Sequence, residues 1–170
     1  MNIQPGTFLI SAPSLDDPNF EKVVIFITEN NEKGSLGFVI NKLFPRQFNE
    51  LEEFKTAVPV PLYEGGPVEK EHIFFLHRQP HLIEDSTPVT TGIYMGGNFK
   101  QAVSKMNSGV LAPGDFKLFI GYCGWNDKEL EEEIAEGSWL VRDIPVETIF
   151  SHDTEMLWEN IYQNNQGKII

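Results

Sequence analysis

Reactive side chains are scarce in this chain of 170 residues, which holds four histidines and a single cysteine. His77 closes the run His72-Ile-Phe-Phe-Leu-His and titrates in the range that suits acid-base work. It reads equally well as a strand-end histidine bonded to backbone. Asn41 follows the apolar run Gly34-Ser-Leu-Gly-Phe-Val-Ile. Its carboxamide both donates and accepts, so it can fix a loop, contact a ligand or, with backbone N–H groups, stabilise an oxyanion. In Glu64-Gly65-Gly66-Pro67-Val68, permissive backbone beside a fixed φ makes either a tight turn or a small anion nest. Cys123 would need a nearby base and an electropositive setting to act as a nucleophile, and buried lone cysteines are otherwise inert.

Several chemistries find no support. His72, His77, His81 and Asp85 do not form a known metal-ligand spacing, so no metal and no cofactor are expected. No Gly-x-Ser-x-Gly elbow occurs, and the glycines at 34 and 37 are followed by a strand pattern rather than by Gly-Lys-Ser/Thr and a helix.

The segment Phe119-Ile-Gly-Tyr-Cys-Gly-Trp125 combines an apolar run with two glycines that bracket Tyr122 and Cys123. Glycine there implies a sharp corner or a close approach by another backbone. Tyr122, Trp125 and Trp139 are anchors if buried and mark a binding surface if exposed.

A net charge of −12, from 13 basic and 25 acidic residues, repels phosphate backbones, so direct nucleic-acid binding is disfavoured. A chain this long buries on the order of 70% of its unfolded surface and needs no disulfide. One cysteine fits a reducing compartment. No basic segment precedes an apolar run at the N-terminus, and no run reaches the length of a membrane span. The expectation is a cytoplasmic protein without membrane contact.

These residues must be positioned by interspersed strands and helices. Thr7–Ala12, Lys22–Glu29 and Leu36–Ile40 read as strands, the last two forming a hairpin through the turn-rich residues 29–34. Phe48, Leu51 and Phe54 predict a helix over Gln47–Phe54, and Pro59 and Pro61 then force an extended segment. His72–His77, Val89–Met95, Asp115–Tyr122 and Ser138–Arg142 are further strands. Asn98 caps a helix ending near Gly109, and Asn126, with Glu129 three residues on, caps a second that ends at Gly137. That second helix is strongly acidic, as a solvated face or as a docking face for a basic partner. Pro145–Phe150 reads as a helical turn and Thr154–Tyr162 as a last helix. Residues 1–163 are expected to form one domain and 164–170 a flexible tail. Without regular βαβ alternation, an α+β domain with a mixed or largely antiparallel sheet fits best.

An ordered series of motifs adds to this. Gly6-x-Phe-Leu-Ile, Leu15-x-Asp-Pro-x-Phe20, Gly34-x-x-Gly-x-Val-Ile-Asn41, Gly65-Gly-Pro-Val68, Leu76-His77, Phe119-x-Gly-Tyr-x-Gly-Trp125 and Leu130-Glu-x-Glu-Ile134 together resemble the YqgE/AlgH family of bacterial proteins. The resemblance implies a cytoplasmic single-domain protein with a strongly twisted, barrel-like sheet flanked by helices. It implies no established activity, although such proteins are often labelled transcriptional regulators. Cys123 stands where relatives often have alanine, which argues against the thiol as a working group. Asn30, Lys42, Leu43 and Glu129 also depart from the family pattern. Asp17, Asn41, His77, Tyr122 and Trp125 match it.

The leading expectation is a non-catalytic binding or regulatory protein. Its site would lie between Asn41, the Gly65-Gly66-Pro67 turn, and Tyr122 with Trp125, and would receive a protein partner or small ligand. The alternatives are an enzyme of unknown class using His77 and Asn41, and a direct DNA-binding regulator.

Overall fold

One strand, Phe116–Trp125, organises the architecture in the computed structural model, which describes residues 3–166. In chain order the strands are β1 (Phe8–Ser11), β2 (Val24–Asn31), β3 (Gly34–Val39), β4 (Leu43–Gln47), β5 (Pro61–Glu64), β6 (Val68–His77), β7 (Thr87–Thr90), β8 (Ile93–Met95), β9 (Phe116–Trp125) and β10 (Trp139–Arg142). The helices are α1 (Phe99–Asn107), α2 (Glu129–Ala135) and α3 (Leu157–Gln166). The main path of the sheet is β10-β1-β2-β3-β9-β6-β8-β7, with β4 and β5 branching beside β9. β5 runs parallel to β9, and the other described pairs are antiparallel. The chain is thus an α+β domain with a mixed, largely antiparallel sheet, as its sequence indicates. The sheet is open, ending at β10 and β7, where the family resemblance implied a barrel-like form.

β9 serves both halves of this sheet. Phe116–Tyr122 pairs with β6, and Leu118–Ile120 also pairs with β5. Gly121 then takes φ +73°, and Cys123–Trp125 pairs with β3. A strand that changes partners needs a bend, and glycine enters this left-handed region at little cost.

Side chains alternate across the β1–β3 half, and each face is covered. Phe8, Ile10, Val24, Phe26, Phe38 and Ile40 join one core with Phe119 and with Trp158 and Ile161 of α3. Leu9, Ile25, Ile27 and Val39 point the other way, to Cys123, Trp125, Trp139 and Leu130 of α2. These strands therefore read as unbroken apolar runs rather than as alternating ones. A third core places Leu62, Phe75 and Leu118 beneath Ala102 and Met106 of α1.

Three local expectations are corrected, and one strand is added. Residues 47–54 form not an α-helix but two 3-10 turns, Phe48–Glu50 and Glu52–Phe54, separated by Leu51 at ψ 139°. Apolar residues every third position match the three-residue turn better than a 3.6-residue one. Val89–Met95 is divided between β7 and β8 by a turn at Gly92. β4 was not foreseen, because Pro45 and its largely exposed side chains suit only an edge. The cap of α2 is Lys128, at φ +66°, rather than Asn126, although the Glu129 carboxylate does accept from the Asn126 N–H at 3.2 Å.

Other signals correspond directly. Asn98 caps α1 by accepting from the Gln101 N–H at 3.0 Å. α3 continues to Gln166, into the segment expected to be flexible, and the rest of that segment, 167–170, lies outside the described residues.

Candidate functional site

The two glycine motifs meet as backbone on backbone. Gly65 donates to Ile120 O at 2.8 Å, and its own carbonyl accepts from Val39 N at 2.8 Å and from the Cys123 thiol at 3.4 Å. A Cβ on Gly65 would collide with Gly121 O, one on Gly66 with the Tyr122 carbonyl, and one on Gly121 with Gly66 O. The close approach indicated by residues 119–125 is therefore made by the Gly-Gly-Pro segment itself. Cys123 is 1% exposed, and burial pushes its thiol up to about 12, which leaves a protonated, unreactive sulfur.

Asn41 works as a clamp. Its Oδ1 accepts from Val24 N at 2.8 Å and its Nδ2 donates to Lys22 O at 3.0 Å. This holds the entry to β2, where Lys22 adopts φ +50°. The carboxamide is thus committed to backbone, even though Asn41 also lines a cavity.

That cavity, about 400 Å³, lies between Asn19, Lys22, Asn41, Lys42, Gly66, Pro67 and Lys70. Pro67 is shared with a second cavity of about 400 Å³, bounded also by Val68, Gly124, Trp125, Glu133 and Trp139. Val68, Gly124 and Trp125 are shared in turn with a third of about 370 Å³ beside Tyr122. Together they form a furrow along Gly66-Pro67-Val68, with Lys22, Lys42 and Lys70 at one end and Tyr122, Trp125, Trp139 and most of the carboxylates at the other. Gly65 lies behind this wall, packed on β9.

The aromatic end is rigidly built. Trp125 and Trp139 cross edge to face at 6.0 Å, and Glu133 Oε1 accepts from both indoles, at 3.0 and 2.8 Å. Trp125 is 8% exposed. Tyr122 is half-buried and packs edge-on against Phe74 at 5.4 Å. The furrow thus brings together Asn41, Gly66, Pro67, Tyr122 and Trp125.

His77 is not among them. It is fully buried, with Gln79 N donating to Nδ1 at 3.1 Å. The proton therefore sits on Nε2, which faces Gly96 O at 3.1 Å and Ser86 Oγ at 3.0 Å. Ser86 directs its own proton to Ile83 O at 2.8 Å. Burial pulls the imidazole below its ordinary range, partly opposed by the bond to Gly96. With both nitrogens engaged and no exposure, the ring has no place for a substrate, and the pairing with Asn41 does not exist.

Two features went unread in the sequence. Lys117 is buried, donates to Ile40 O at 2.7 Å and Ser151 O at 3.2 Å, and lies 3.8 Å from the Tyr63 ring centre. Its signal was a lysine within the apolar run Phe116–Ile120. A larger cleft, about 590 Å³, opens between Phe44, Phe54, Ile73 and Phe99. Its walls come from distant segments, so no local pattern announces it. Among the described residues no group of His, Cys, Asp and Glu is placed to hold a metal ion, and no helix is long and apolar enough to cross a membrane.

Residues 8–170 match the family model described as AlgH-like. A UPF0301 protein of Chlorobaculum tepidum is 33% identical over 168 residues, covering 98% of this chain and 89% of its own. One from Chlorobium luteolum is 35% identical over 163 residues, covering 96% and 86%. Among solved structures, the AlgH protein of Pseudomonas aeruginosa superposes with a TM-score of 0.76 at 25% identity, covering 98% of this chain and 89% of its own. A Corynebacterium diphtheriae protein gives 0.79 at 19% identity, covering 96% and 88%, and supports the fold alone.

Proposed function

This chain belongs to the AlgH-like family, and we propose that it is a cytoplasmic, non-catalytic binding or regulatory protein whose ligand or partner occupies the furrow along Gly66-Pro67-Val68. The carrying observation is that three cavities adjoin in series, the first and second sharing Pro67 and the second and third sharing Val68, Gly124 and Trp125. A preformed concave surface with fixed aromatic anchors suits recognition. The buried thiol near 12 and the fully engaged His77 supply neither nucleophile nor base. The lone cysteine fits a reducing compartment.

The test is affinity capture from native extract, recording proteins and small molecules. Val68 is 36% exposed on the furrow wall, whereas Val110, at 55%, lies outside it. Val68→Asp is expected to abolish capture and Val110→Asp to leave it intact. Equal capture by both variants removes the reading.

A further inference from the structure

The lysine end of the furrow has a chemistry of its own, and the following rests on the furrow being a binding site. Lys22 enters from the loop before β2, Lys42 from the loop after β3, and Lys70 from β6. Three lysines from separate segments thus line one cavity of about 400 Å³, in a chain of net charge −12. The carboxylates on the same wall are Glu21 and Glu64, one fewer than the lysines, and Glu159 meets Lys22 from outside the cavity.

Two of the lysines are held by partly exposed ion pairs, and Lys22 also lies 5.8 Å from the Trp158 ring centre. Lys70 meets Glu64 at 3.5 Å and Lys22 meets Glu159 at 3.4 Å, with both lysines about half exposed at 54% and 52%. Such pairs are weak and exchange readily. Lys42 has no carboxylate within 4.0 Å among the described residues. A second observation also points to an anion. Gly66 is buried and lines the cavity, yet its N–H has no acceptor among the described residues, whereas the neighbouring Gly65 N–H is bonded to Ile120 O. The Asn41 clamp on Lys22 O fixes one side of the cavity before any ligand arrives.

We infer that this end of the furrow binds the phosphate group of a small phosphorylated ligand, with Lys22, Lys42 and Lys70 around its oxygens and the Gly66 N–H donating to one of them. Compact ammonium charges approaching from different sides suit a tetrahedral, multiply charged group better than a planar carboxylate. Binding weakens as salt rises, because the partners are exposed charges.

The test is titration of the full chain with sodium pyrophosphate, followed by amide NMR shifts and calorimetry. The expected result is a saturable shift at the Gly66 and Lys42 amides, about tenfold weaker binding for Lys42→Gln, and near wild-type binding for Lys42→Arg. Any of three results overturns the inference: shifts that stay non-saturable, shifts that do not change in Lys42→Gln, or citrate binding as tightly as pyrophosphate, which would leave only a general preference for anions. If pyrophosphate does not bind while Val68→Asp still abolishes capture, the phosphate inference fails and the furrow reading stands.

Discussion

Lys117 shows how a single residue can carry a measurable signature. Burial pushes its ammonium down to about 7 from 10.5, because the charge is surrounded by carbonyls and a ring rather than by a carboxylate. Between these values the unfolded chain holds a proton that the folded chain has released, so stability rises with pH across that window. The slope is worth on the order of a few kcal/mol in total. Urea unfolding from pH 7 to 10 is expected to show wild type gaining stability relative to Lys117→Met, which lacks this proton. Parallel pH profiles would show that the charge is not desolvated. His77 acts at the acid end. Its folded imidazole lies below 6.5, so stability falls as pH drops below 6.5, where the unfolded histidine charges first.

At the scale of elements, the corner of β9 and the cap of α2 each hang on few atoms. Gly121 has φ +73° and sits against Gly66 O. Gly121→Ala therefore meets strain and collision at once and is expected to cost about 3 kcal/mol or more in denaturant unfolding. A loss under 1 kcal/mol would mean that the corner relaxes freely. Glu133 ties α2 to β9 and β10 through both indoles. Glu133→Ala leaves two indole donors unpaired and is expected to cost about 2–4 kcal/mol, whereas Glu133→Gln keeps an acceptor and loses about half as much. The acidic stretch of α2 thus includes one carboxylate with a defined internal task. Its composition alone suggested only a solvated or docking face.

Across the whole molecule, charge and topology set the limits. A surface at −12 with no helix-turn-helix pattern is expected to give no salt-sensitive gel shift with duplex DNA at physiological ionic strength. Such a shift would reverse the preference for a binding protein over a DNA-binding regulator. The amino-acid sequence by itself determined the α+β class, the strands β1 to β3, the capping of α1 by Asn98, and the close approach at residues 119–125. Each of these follows from local periodicity, a cap, or the absence of a Cβ, and such signals lie within a few neighbouring residues. The tertiary structure alone decided that β9 is shared by both halves of the sheet, that Asn41 is spent on Lys22 and Val24, that His77 is sealed, and that Lys22, Lys42 and Lys70 line one cavity. These outcomes depend on which distant segments meet. That is fixed by the burial of whole faces, and no short stretch of chain records it.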